Sequence, residues 1–457
     1  MIIKNFNELI ENASKEYKRA RKLALISLDK AISAVLPKNL IHGKVLRKKN
    51  IIIFGKRKYN LNNYSEIVVL GIGKACVEMC EALLEILPDK ISRGLLITKH
   101  EQVKKIDSRI EVLGAGHPIP DKKGEEAARK ILELAKNVDK NSLTIFLVSG
   151  GGSALMPLPK EGLTLEDKIE TTKLLLRSGA TINEMNIVRK HLSAVKGGWI
   201  AKNSKSKNLV SLIISDIVGD PIHFIASGPT VPDPTTYEDA INVLNRRNLW
   251  NKVPENVRKH LLKGKNHEIE ETPKPEDKAF RKVYNFIIGS NKDACKAAYN
   301  EAIKNGLKSI ILTTHLEGEA REVGIVISSI AKDLYKNNFP LKKKSAIIIG
   351  GETTVTVKGS GKGGRNQECV LSTTIGLSGL KGVAFASIGT DGIDGITNAA
   401  GAITDGEIFE KAISKELNIN EFLDNNDSYS FFEKIGDIIY TGPTGTNVGD
   451  IAILVYA

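Results

Sequence analysis

What most limits the folds open to this chain is an alternation of short apolar runs, each stopping at glycine or a small polar residue, with segments of helical spacing. Such runs stand at 67–70, 95–98, 144–149, 209–215 and 285–289. After Gly73, residues Ala75, Met79, Leu83, Leu84 and Leu87 recur at helical intervals. Strand, glycine turn and helix in repetition predict an α/β fold with crossover connections, and therefore a mostly parallel sheet. A polar stretch at 263–282 holds Pro273 and Pro275 and marks a linker or an excursion. Further apolar runs follow at 309–312, 345–349, 383–388 and 451–455. With 457 residues, more than a single core organises, two α/β three-layer domains are expected, at 1–265 and 283–457.

Charge and composition narrow the classes. Lysine and arginine outnumber the acids to give a formal charge of +13, but the basic residues are scattered and aromatic residues make up 5% of the chain. That is too few for a base-stacking platform, so a basic surface that attracts acidic metabolites is expected rather than a nucleic-acid partner. No run approaches the roughly eighteen apolar residues of a membrane span. The N-terminal segment mixes acidic and basic residues at helical spacing and lacks a signal-peptide core, which argues for a cytoplasmic protein. Cys76, Cys80, Cys295 and Cys369 form neither a CxxC pair nor a zinc set and read as reduced core residues.

Several segments join glycine to charged residues where strands end, the side on which open α/β sheets bind ligands. In LGIGKA, Gly73 and Lys74 stand at a helix start, where an ammonium can reach a phosphate. In LVSGGGSAL, Ser149, Gly150, Gly151, Gly152 and Ser153 follow a buried strand and suit phosphate cradling. The elbow pattern G-x-S-x-G is missing around Ser153, so acyl transfer is disfavoured. In NEMNIVRKHLSAVKGG, Arg189 and Lys196 lie two helical turns apart and are suited to a carboxylate or phosphate; a solvated basic face is the alternative. Asp216 ends an apolar run, and Asp391, Asp394 and Asp405 repeat that placement later. The loop at 350–368 has six glycines around Arg365, with Glu352 and Asn366 beside it, and reads as an anion site. Its literal G-x-G-x-x-G, at Gly359, Gly361 and Gly364, follows the β-branched run at 353–358, a strand candidate, and resembles a hairpin turn or flexible loop more than a dinucleotide turn. No Walker A motif occurs. Together these are the parts that phosphoryl transfer from a Mg-nucleotide requires.

The blocks SGGGSAL, INEMNIVRKHLSAVKGG, ISDIVGD, ASGPTVPDPTTYEDA, GGETTVTVKGSGKGGRNQE, GTDGIDGITNAAGAITD and TGPTGTNVGD resemble those of the class II glycerate 2-kinases, whose C-terminal region is the MOFRL domain. LEGEARE and NDSYSFF are similar to further blocks of that family. The resemblance implies ATP-dependent phosphorylation of D-glycerate at its 2-hydroxyl, with Mg²⁺ or another divalent cation. It also implies a Rossmann-like N-terminal domain, a smaller MOFRL domain, an active site in the cleft between them, and Lys74 and Arg365 as leading catalytic cations. Position further assigns Asp216 to orient the hydroxyl and Asp391 to lie near the metal. Whether the 149–153 loop holds nucleotide phosphate or the acid's carboxylate stays open, as does oligomeric state, a homodimer being one alternative. The rival activity is an NAD(P)-dependent hydroxypyruvate reductase.

Overall fold

The computed structural model describes residues 1–457. The chain forms two compact units, one from Leu40–Ser215 and Asp220–Ile288, the other from Met1–Asn39, Asp216–Gly219 and Gly289–Ala457.

In the first unit six strands lie in the spatial order Ile110–Ala115, Arg93–Lys99, Ile67–Ile72, Leu143–Val148, Asn208–Ile214, Val283–Gly289. Counted along the chain this is 3-2-1-4-5-6, the order of a doubly wound sheet that reverses direction between its first and fourth strands. Register confirms parallel pairing across the first five. Ile67–Ile72 and Leu143–Val148 are buried at every position, as expected of central strands covered on both faces. A separate antiparallel meander joins Val45–Lys48, Ile51–Phe54 and Arg57–Asn60.

The second unit has a mixed sheet in the order Lys308–Leu316, Ser345–Gly351, Asp450–Tyr456, Val383–Gly389, Gly401–Asp405, Ile438–Ile439. Lys308–Leu316 and Ser345–Gly351 pair parallel, and Asp450–Tyr456 runs antiparallel to both of its neighbours. The long N-terminal helix Lys15–Ala34 lies on strands Asp450–Tyr456 and Val383–Gly389 of this sheet.

Three features depart from the sequence reading. Met1–Asn39 groups with the C-terminal part of the chain, because Arg21 is wholly buried against Asp405 and Asp437 there. The polar stretch at 263–282 packs back onto the first unit: Thr272 and Pro273 are buried, and Glu271 accepts the N–H of Tyr237 at 3.0 Å. Its last residues feed Val283–Gly289, the edge strand of the first sheet, so the division falls at Gly289 rather than 283. The β-branched run at 353–358 forms no strand; a lone bridge from Thr354 to Glu319 is all its ladder.

Candidate active site

At the reversal point of the first sheet the loops after Ile67–Ile72 and Leu143–Val148 are laced together. The Lys74 N–H donates to the Gly150 carbonyl at 3.0 Å, and the Ala75 N–H donates to Ser149 Oγ at 3.0 Å. Gly73 stands at φ +114°, and a Cβ there would lie 2.3 Å from Ser149 Oγ, so only glycine permits this approach. Gly151, also left-handed, has His117 and the Lys74 stem directly over the face a Cβ would occupy. Lys74, His117 and the 149–153 loop therefore share one crevice. Burial, reinforced by the Lys74 and Lys99 charges, pushes the His117 imidazole down to about 4, so it is neutral at physiological pH.

Beside this crevice opens a cavity of about 270 Å³. His117, Gly151, Ser153, Lys168, Arg189 and Lys196 line its polar side, Ile119, Leu165 and Ile169 supply apolar wall, and no carboxylate faces it. Lys196 donates to the Ser153 carbonyl at 2.8 Å and to Ser153 Oγ at 3.2 Å, while Ser153 Oγ lies 2.9 Å from Ser227 Oγ. Lys168 donates to the carbonyls of Pro157 and Leu158 at 2.7 and 3.2 Å. Burial, with neighbouring cations, pushes Lys168 down to about 7 and Lys196 well below the ordinary lysine value. Burial also lowers Arg189.

Sequence reasoning singled out Arg189 and Lys196 but missed Lys168 and His117. A signal for Lys168 existed: on helix Leu165–Arg177 it shares a face with the buried Leu165, Thr171 and Leu175. Other polar residues of the block at 186–196 are structural. Lys190 pairs with buried Asp233 at 3.4 Å, and Asn186 accepts from Ser227 Oγ.

The remaining candidates lie in the second unit. Arg365 opens helix Arg365–Leu377 and its fork is engaged: Nε and Nη2 reach the two Asp450 oxygens at 2.5 and 3.0 Å, and Nη1 reaches Glu352 at 2.8 Å. Burial pushes the Asp450 carboxyl up to about 7 although Arg365 pulls the other way. Asn366 is buried, donating to Asp394 and accepting from Ser387 Oγ. Asp394 accepts the backbone N–H groups of Asn366 and Gln367 as well as both side-chain amides, so it caps the helix rather than meeting a ligand.

The glycine loop ahead of Arg365 is not the flexible arm that its composition suggests. Lys358 and Gly359 N–H donate to Asn426 Oδ1, Ser360 N–H to Asn425 Oδ1, Gly361 N–H to the Asn425 carbonyl and Lys362 N–H to Asp427 Oδ1. Its glycines serve a close backbone approach. Asp216, half-buried, follows Ser215 at the end of strand Asn208–Ile214. Asp391 accepts the Ile393 N–H at 3.1 Å, and no group of three or more His, Cys, Asp or Glu gathers anywhere to cage a metal.

Family models match both parts of the chain: a domain of unknown function, DUF4147, over residues 23–262, and the MOFRL family over residues 345–450. A glycerate 2-kinase from Pyrococcus horikoshii is 43% identical across 95% of this chain and 97% of its own length. The chain belongs to the glycerate kinase family with a C-terminal MOFRL region. A crystal structure of the glycerate kinase from Thermotoga maritima superposes with a TM-score of 0.85 at 39% identity, over 95% of this chain and 99% of that one. Another family relative, from Agrobacterium vitis, is 41% identical over 85% of this chain and 87% of its own length and is provisionally named a hydroxypyruvate reductase.

The turn after the first strand bears on that second name. It reads Gly71-x-Gly73-x-x-Cys76, with a buried cysteine where a dinucleotide fingerprint needs its third glycine for helix packing. The literal G-x-G-x-x-G at Gly359 does open a helix, but strand Ser345–Gly351 ends well before it and its glycines pack on Asn425 and Asp427. Neither turn is built for a pyrophosphate of NAD(P).

Proposed function

We propose that this protein is an ATP-dependent glycerate 2-kinase, converting D-glycerate to 2-phosphoglycerate. The observation that carries this reading is the reversal point of the doubly wound sheet, where Lys74 stands over the 149–153 loop beside a cavity of cations without acids. The extent of identity to glycerate 2-kinases supports the choice of acid and hydroxyl.

In this reading the 2-hydroxyl oxygen bonds to the γ-phosphorus as the bond to the β–γ bridging oxygen breaks and ADP leaves. In the first unit Lys74 is the candidate to meet charge on the transferring group; in the second, Arg365 is the candidate cation and Asp216 the candidate acceptor of the hydroxyl proton. Gly73 and the 149–153 loop bring backbone N–H groups to the anion, Arg189 and Lys196 add charge, and Glu352 and Asn366 hold the Arg365 segment. A divalent cation bound with the nucleotide would neutralise phosphate charge. Mg²⁺ keeps several waters and takes one or two carboxylates beside phosphate oxygens, which Asp391 alone can satisfy. Four unpaired, buried cysteines suit the reducing cytoplasm.

Following ATP consumption with D-glycerate, and identifying the product as 2- or 3-phosphoglycerate by NMR, tests the reading. Turnover to the 2-phosphate is expected. Oxidation of NAD(P)H by hydroxypyruvate with no glycerate-dependent ATP turnover would replace it with the reductase activity.

A further inference from the structure

Lys168, Arg189 and Lys196 reach one cavity from helix Leu165–Arg177, helix Ile182–His191 and the segment that follows. Lys168 and Lys196 are 8% and 2% exposed, and their ammonium groups donate to backbone carbonyls and the Ser153 hydroxyl, none of which carries a charge. No acid lines the cavity. Four basic side chains, Lys168, Lys173, Arg189 and Lys196, line this acid-free site, and the charged forms of the buried ones lose hydration at a cost that an anion in the cavity offsets. The apolar residues Ile119, Leu165 and Ile169 strengthen any such pairing by excluding water.

We propose that this cavity is the carboxylate subsite for the 2-hydroxy acid, with Lys168 and Arg189 as its specificity residues; the identity of the acid rests on the glycerate-kinase reading. A nucleotide enters as a divalent-metal complex, and the lining offers that metal no carboxylate. The acid enters as a bare anion, matched by the planar fork of Arg189 and the ammonium of Lys168. After transfer the product carries additional negative charge, which the surplus of cations accommodates. The same chemistry discriminates against glycerol, which has the hydroxyl groups but no carboxylate.

The test is calorimetric titration of the full-length protein with D-glycerate, glycerol and Mg-ATP separately, for the wild type, Arg189→Gln, Arg189→Lys and Lys168→Met, with circular dichroism as a folding control. D-glycerate binding should weaken at least about tenfold in Arg189→Gln and Lys168→Met and less in Arg189→Lys, with Mg-ATP affinity held within about twofold. Glycerol should give no binding heat. Lost Mg-ATP affinity with glycerate binding intact would reassign the cavity to the nucleotide, and unchanged glycerate affinity in folded Arg189→Gln would overturn the subsite. A wild type that binds D-glycerate, loses it in the variants and transfers no phosphate would sink the kinase reading while leaving the subsite. A wild type that phosphorylates glycerate, with KM unchanged in Arg189→Gln and Lys168→Met, would do the reverse.

Discussion

Arg21 and Asp437 meet in the dry interior of the second unit, with Nη1 and Nη2 of the guanidinium at 2.6 and 2.8 Å from the two carboxylate oxygens and neither side chain exposed. Arg21 Nε also reaches Asp405 at 2.6 Å, so one arginine from the N-terminal helix pairs with two buried acids. Removing one member of such a cluster leaves charge without a partner. Arg21→Ala is expected to destabilise the protein by ~3–5 kcal/mol, read as a fall in the denaturant midpoint. A shift of a few tenths would mean that the helix is held by its apolar face alone.

That cluster shows why some of the architecture could not be read from the chain. The runs at 67–70, 144–149 and 345–349 announced strands because a sheet covered on both faces needs continuous apolar sequence. Ile110–Ala115 escaped because Glu111 interrupts it and its middle is only half-buried. Arg21 sits among Lys18, Arg19 and Lys22 and looks like surface, since its partners lie hundreds of residues away. Within the candidate site, the close approach of Gly73 to the 149–153 loop was legible because backbone approach demands glycine. Lys168 was not, because nothing local separates a buried lysine from a solvated one except the face it occupies.

The glycine loop offers a direct test of its packing role. A Cβ on Gly359 would lie 2.3 Å from the Asn425 carbonyl oxygen and 2.4 Å from two more backbone atoms of that residue, none of which can swing aside. Gly359→Ala is expected to cost ~1–3 kcal/mol of stability by overpacking. Wild-type stability in this variant would restore the flexible-loop reading.

Arg365 holds Asp450 with two nitrogens in a fork that lysine cannot reproduce. Arg365→Lys is expected to lower kcat sharply, by ~10²-fold or more if the cation meets the transferring group. Near-normal kcat with the fold intact would leave Arg365 a structural partner of Asp450 and Glu352.

Lys74 crosses no ion pair in its own unit that its removal would break, its backbone N–H rather than its ammonium being what laces the two loops. Lys74→Ala should therefore depress kcat by ~10²–10³-fold while stability changes by less than ~1 kcal/mol. The opposite pattern, a lowered melting temperature with kcat preserved, would make Lys74 a scaffold residue.

The acid-free cavity also sets a pH dependence. Burial pushes Lys168 down to about 7 in the folded protein, with the Arg189 charge lowering it further and Glu125 opposing them. An unfolded lysine keeps its proton to above pH 10, so between pH 7 and 8.5 the unfolded chain binds more protons than the folded one. Stability from this group therefore rises with pH across that window, by as much as ~1 kcal/mol per pH unit. Lys168→Met should flatten the rise, which comparison of denaturant midpoints for the two proteins at pH 7.0 and 8.5 would measure. Bound carboxylate reverses the preference by favouring the ammonium form, so glycerate binding should take up protons over the same window and weaken as pH rises. Titrations in buffers of different ionisation enthalpy would register that uptake, and its absence would mean that Lys168 is charged before the anion arrives.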